Sequence, residues 1–228
     1  MDLRSLRDRT EKYIRAAIVS GALEPGRLYS VAYFARTLGV SATPVREALF
    51  KILDDGLLEL ARNQGFRVPV LSRQYLDEVY VVRRMLEVPA MEELAAHAES
   101  IDFARFASMA DSMVDQAARG DVGSFLWLDR SFHVGLIEAI GNSVLADMVL
   151  RLRDRSRLPG LAGLARQGKL AESAREHGVL LRLLEARDVQ ATRALMEAHL
   201  RHTRGMWATG VADSEGSSAP EAGDRILG

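Results

Sequence analysis

The four residues Leu38-Gly39-Val40-Ser41 do most to restrict the fold of this chain. On one side lies "VAYFARTL", with Ser30 as a natural N-cap; on the other is a second helical run, capped by Ser41 and carrying Pro44 in its first turn, where a missing N–H costs nothing. So short a separation leaves room only for a tight turn. Upstream, residues 4–20 place Leu6, Tyr13, Ile14, Ala17 and Ile18 at helical spacing until Gly21 stops the run, and "GALEPGRLYS" reads as a turn-rich connector. Downstream, the second helix runs to about Gly56, and "LLELARNQGFRVPV" then alternates and breaks at Asn63-Gln64-Gly65 as a small hairpin does. Three helices, a tight turn between the last two and a hairpin predict a winged helix-turn-helix.

Such a unit reads DNA by laying its second helix in the major groove, with the hairpin along the backbone or minor groove. Here the reading turn is "SATPVRE", in which Thr43 and Arg46 are the donors and Arg46 suits a bidentate guanine contact or a phosphate. Arg62, Asn63, Gln64 and Gly65 form the expected wing, Gly65 allowing close approach to the sugar-phosphate chain, while Arg36 and Lys51 add phosphate contacts. The alternative is that these are solvated charges on a small helical domain. Charge is divided in a way that favours the DNA reading: residues 1–73 hold twelve Lys/Arg and eight Asp/Glu, a balance of +4, and the remainder balances at −5.

From Ser72 onward the periodicity is helical, with few strand signals. A long amphipathic helix begins there, and Pro89 is expected to kink it. Further helices are expected at about 102–119, 124–140, 143–156, 171–186 and 188–206, with a loop or broken helix at 157–170 and a disordered tail from Thr209. The fold class is therefore mainly α: a winged helix-turn-helix over residues 1–70, an antiparallel all-helical bundle over 71–207, and a tail over 208–228. With no cysteine, any metal must be held by nitrogen and oxygen. The amino terminus lacks the apolar run of a signal peptide, and no 18-residue apolar stretch could span a bilayer, so a cytoplasmic protein without membrane contact is expected.

The bundle carries one chemical oddity. In "LDRSFHVGLIEAIGN", Asp129 and His133 stand one helical turn apart on the flank of an apolar face made by Leu128, Phe132, Leu136 and Ile140. They read as a buried hydrogen-bonded pair, an acid/base couple or half of a metal site. His177 and His199 lie on the last two helices, which a short connection at "ARD" makes antiparallel, so they can meet in the core near Asp129 and His133. One carboxylate and three imidazoles would suit Zn, Ni, Mn or Fe as a divalent ion. His97 and His202 read as structural or surface residues, although His202 lies one turn from His199.

"FARTLGVSATPVREALFKILDDGLLE" resembles the GntR family of bacterial transcription regulators, and the helical remainder resembles the FCD effector domain of its FadR-like branch, over about residues 4–206. That resemblance implies a homodimer on a pseudo-palindromic double-stranded operator, acting as a repressor released by a small organic or sugar acid. It implies a metal held by Asp129, His133, His177 and His199, with Arg83 as a pocket arginine for the effector. Asn142 matches a family effector position as well, although its residues read as a local cap between two helices. Members commonly carry Arg where this chain has Ala42, which leaves Thr43 and Arg46 as the main readers and does not carry over the usual operator preference. Two other functions fit the same residues: a regulator for which the ion is itself the signal, and a metal-dependent hydrolase with an accessory DNA-binding domain, for which no general-base motif is visible.

Overall fold

The computed structural model describes residues 3–19, 21–62, 64–156 and 169–208. The expectations for Asn63, for all but the last two residues of the loop expected at 157–170 and for the tail from Thr209 lie outside the described residues; those last two, Lys169 and Leu170, begin a helix instead. The described chain forms α1 (Leu3–Val19), β1 (Leu28–Tyr29), α2 (Val31–Leu38), α3 (Ala42–Asp54), β2 (Glu59–Ala61) and β3 (Gly65–Arg67). It continues with α4 (Arg73–Ala96), a 3-10 turn at Ala98–Ser100, α5 (Phe103–Arg119), α6 (Val122–Glu138), α7 (Ser143–Ser156), α8 (Lys169–Glu185) and α9 (Val189–Ala208).

The helix starts follow local chemistry. Ser30, Ser72, Asp102 and Asp121 each accept a hydrogen bond from the backbone N–H three residues on, at 3.0–3.1 Å, satisfying one of the orphan donors of a first turn. Ser41 occupies the same position before α3 but makes no capping bond. The reason is local: the residue three places on is Pro44, which has no N–H to give. Gly39 ends α2 at φ 65°, the left-handed conformation that lets the chain turn directly into α3.

Pro89 does not end α4, which continues as one helix from Arg73 to Ala96. Its ring is exposed, and the carbonyl it deprives of a partner belongs to Met85, itself 64% exposed, so water can take the vacant bond. On the opposite side Val88, Ala90, Met91, Leu94 and Ala95 are buried and hold the helix in place.

The hairpin between β2 and β3 forms as expected, with Leu60 opposite Phe66, but it gains a third strand that the alternation did not show. β1, two residues within the expected connector, pairs antiparallel with β3, giving the order β1-β3-β2. Gly65 is explained here. Its φ is +116°, and a Cβ built on it would come within 2.5 Å of the Tyr29 carbonyl oxygen. Glycine is thus required at this position by the close approach of the chain's own β1.

Two hydrophobic clusters form. Ile14 and Ile18 of α1, Phe34 of α2, and Val45, Leu49 and Ile52 of α3 pack with Tyr29 and Phe66 of the sheet. Met91 and Leu94 of α4, Phe106 and Met113 of α5, Phe132 and Leu136 of α6, Val149, Leu184 and Leu200 form the other. No helix among the described residues is long and apolar enough to cross a membrane.

Candidate metal centre and DNA-reading face

Three helices of the second cluster bring Asp129, His133, His177 and His199 together. α6 supplies the first two one turn apart, α8 supplies His177 and α9 supplies His199; all four are buried, and one ligand atom from each lies within 4.8 Å of the others. Phe132, fully buried, stands edge-on to the rings of both His133 and His177, with centroids 5.4 and 5.0 Å away, and fixes their planes.

Hydrogen bonds set the tautomers. His177 Nδ1 lies 2.9 Å from the Ser173 carbonyl oxygen, one turn back on α8, and donates its proton there. Its Nε2 therefore carries a lone pair, yet it faces Asp129 Oδ1 at 3.0 Å and His133 Nε2 at 3.1 Å. His199 Nδ1 lies 2.6 Å from Glu176 Oε2, which leaves its buried Nε2 with no hydrogen-bond partner. Glu176 Oε1 is in turn 2.8 Å from Nδ1 of His202, so the exposed His202 orients the site through Glu176. His133 Nδ1 is buried with no hydrogen-bond partner, so the proton of its neutral ring can stand on Nε2 and be shared with His177 Nε2, while burial disfavours a second, charge-bearing proton on either ring. The donor set consequently fits a divalent cation: one carboxylate and three neutral imidazoles, two of them oriented by partners on the far ring nitrogen.

Burial, with the nearby Arg153 charge among the further causes, holds the His133 imidazole well below its ordinary pKa. Burial also takes His177 and His199 from 6.5 down to about 4, against the bonds to Ser173, Ala174 and Glu176 that favour the protonated form. In the unfolded chain these groups take up protons first as the pH falls. Metal-free protein is therefore expected to keep the full contribution above about pH 6.5 and to lose it progressively as the pH falls towards about 4. Melting chelator-treated protein at about pH 7.5, 6 and 5 checks this; a Tm that does not fall would contradict buried neutral imidazoles.

Behind Asp129 lies an ionic core that the sequence reading missed. Asp129 Oδ2 accepts from Arg153 Nη1 at 3.3 Å, and Arg153 also clamps the fully buried Glu87. Arg83 completes it: the residue is buried, Nε donates to Glu87 Oε1 at 2.7 Å and Nη1 to Ser156 Oγ at 3.2 Å. Burial alone would raise the Glu87 carboxyl, but the flanking Arg153 and Arg83 bring it down to about 2. Unlike its exposed neighbour Arg84, Arg83 is thus enclosed in this ionic core. Asn142, in contrast, is exposed, and its Oδ1 accepts from Leu145 N at 3.0 Å, the local capping role. His97 is exposed at the end of α4, 3.7 Å from Glu93.

α7 turns its other side to α1 and α3. Asp154, next to Arg153, accepts from Arg15 at 3.0 Å and from Arg130 at 2.7 Å, and Arg15 also pairs with Asp55. Arg151 Nη1 donates to the Asp54 carbonyl at 3.2 Å, at the end of α3. The Arg155 guanidinium lies where a Cβ on Gly56 would be, so that glycine admits it. On the first cluster's surface, Thr43, Arg46, Arg36, Arg62 and Gln64 are exposed, and the three arginines make no ion pair among the described residues. Lys51 is the exception, its Nζ lying 3.3 Å from Glu11 Oε2.

Comparison with known proteins agrees with these two units. The family model for bacterial regulatory proteins of the gntR family matches residues 6–68, and that for the FCD domain matches residues 78–202. The HTH-type transcriptional regulator McbR of Escherichia coli (strain K12) is 28% identical over 192 residues, covering 83% of this chain and 86% of the relative. The gluconate operon transcriptional repressor of Bacillus subtilis (strain 168) is 30% identical over 132 residues, covering 58% and 54%. The solved structure of E. coli McbR/YncC superposes with a TM-score of 0.77 at 25% identity, covering 92% of this chain and 98% of that one. A winged helix-turn-helix ahead of an FCD helical bundle, with both family models matched in order, means that this chain belongs to the GntR family of DNA-binding transcription regulators and not to an enzyme family.

Proposed function

We propose that the protein is a cytoplasmic, homodimeric repressor that leaves its operator when a small organic or sugar acid binds at a divalent metal in the FCD domain. The observation that carries this reading is the buried cluster of Asp129, His133, His177 and His199, one ligand atom from each lying within 4.8 Å of the others, with His199 Nε2 left without a hydrogen-bond partner. Those four side chains would hold the ion, with Zn, Ni or Mn the candidates that fit their chemistry. Bound there, the metal would supply a Lewis acid to anchor a carboxylate. Arg83, already oriented by Glu87 and Ser156, would pair with a second anionic group of the effector. Residues 1–70 would form the DNA-binding unit, two copies facing a pseudo-palindrome, with Thr43 and Arg46 reading the groove and Arg36, Lys51, Arg62 and Gln64 gripping the backbone. Residues 71–207 would form the effector and dimerisation unit. That a relative is named the gluconate operon transcriptional repressor supports both the repressing sign and an acidic effector.

The decisive experiment selects bound sequences from random DNA, then titrates the selected duplex with Zn²⁺ and with a panel of organic and sugar acids. The expected outcome is sequence-preferring binding that an acid weakens only in metal-loaded protein. If no sequence preference emerges in any condition, the reading fails; if the ion alone releases DNA, the protein is a metal sensor.

A further inference from the structure

A cleft of about 190 Å³ opens between α1 and α6, and none of the four cluster residues lines it. Ala16, Leu57 and Leu126 give it an apolar wall, and Trp127 adds an indole on a residue that is 56% exposed. A large aromatic left in water beside an apolar wall gains by being covered.

The charges around the cleft are unevenly committed. Asp154 gives Oδ1 to Arg130 Nε at 2.7 Å and Oδ2 to Arg15 Nη1 at 3.0 Å. Glu11 gives Oε1 to Arg15 Nε at 3.0 Å and Oε2 to Lys51 Nζ at 3.3 Å. Both acids thus have both oxygens occupied. Lys12, in contrast, is exposed and makes no ion pair among the described residues, and Arg130 Nη1 has no partner there. The unused hydrogen-bonding capacity of the cleft is cationic, which complements an anion.

We propose that this cleft is a second small-molecule site, selective for a single-ring aromatic carboxylate. The ring would cover Trp127 and Leu126, and the carboxylate would meet Lys12 Nζ and Arg130 Nη1. Size agrees, because an apolar cavity of about 150 Å³ accommodates benzene. Position gives the site a consequence. Its wall includes Arg15 and Asp154, the ion pair that joins α1 to α7, so an occupant bears directly on how the DNA-reading helices are held. This input is separate from the His cluster.

The test uses the full chain with Trp207→Phe, so that Trp127 is the sole indole, and follows its fluorescence and the heat of binding while benzoate is added. Benzamide, the neutral isostere, is the control. Saturable quenching by benzoate is expected with Kd on the order of 1 mM, and benzamide should bind about 5-fold or more weakly. Lys12→Ala should cost about 5-fold for benzoate and nothing for benzamide, while Trp127→Ala should remove both. His177→Ala should leave the titration unchanged. Equal binding of the two ligands, or an unsaturable response, overturns the proposal. A response lost in His177→Ala but kept in Trp127→Ala sends benzoate to the His cluster and overturns it equally.

Discussion

Replacing His177 by Ala is expected to lower divalent-metal affinity by about 100-fold or more, enough to empty the site on a desalting column. The structural reason is its central position: Nε2 is 3.0 Å from Asp129 Oδ1 and 3.1 Å from His133 Nε2, while Nδ1 is tied to Ser173. Roughly 10–16 kcal/mol of apparent affinity for a structural zinc, shared among four ligands, is about 3 kcal/mol for each. Metal content by elemental analysis, beside a Zn²⁺ titration, measures this directly. The companion variant is His202→Ala, exposed and joined to the cluster only through Glu176, which should keep the metal with a loss of about 10-fold. Full metal content in His177→Ala would mean that the four side chains do not act as one ligand set. The same variant should flatten part of the acid sensitivity of metal-free protein, since one imidazole held down to about 4 has gone.

Replacing Arg46 by Ala should weaken operator binding by about 1–3 kcal/mol per protomer. Arg46 is exposed on α3 with no ion pair among the described residues, so its charge is available to DNA without first breaking a bond. How the loss is distributed identifies the contact. A phosphate contact weakens all sequences alike and reduces the salt slope by about 1; a guanine contact relaxes preference at one position. Lys51→Ala should cost less, because Glu11 already neutralises part of its charge. Unchanged affinity for every sequence in Arg46→Ala would remove α3 as the reading helix.

Much of the architecture was legible in the chain because it rests on local rules. Ser30, Ser72, Asp102 and Asp121 start helices by accepting an N–H three residues away, an interaction contained in a single turn. The spacing of Asp129 and His133 is likewise a property of one helix. Where local rules met an exception, the exception was also local but subtler: Pro44 withholds the N–H that Ser41 would have capped. The two-residue β1 was invisible because so short a segment has no alternation to read, and its pairing with β3 joins residues far apart in sequence.

The site was only half legible. Glu176 precedes His177 directly, yet its partners are His199 and His202 on α9, a contact that helical spacing within α8 does not predict. Glu87 and Arg153 look, in sequence, like ordinary members of charged helix faces, but both are buried and paired across 66 positions. Arg83 reads as a neighbour of Arg84 and is instead enclosed by Glu87 and Ser156.

The sequence by itself determined most of the helices and their caps, the winged order of the first 70 residues and the one-turn spacing of Asp129 and His133, since periodicity and capping are written within a turn or two of chain, whereas packing brings His177 and His199 to that pair. Only the tertiary structure decided which imidazole nitrogen is left bare, which charges are buried together, and that Gly65 serves β1. Those outcomes depend on which groups lose water in the same place, and desolvation is a property of the packed molecule that no single segment carries.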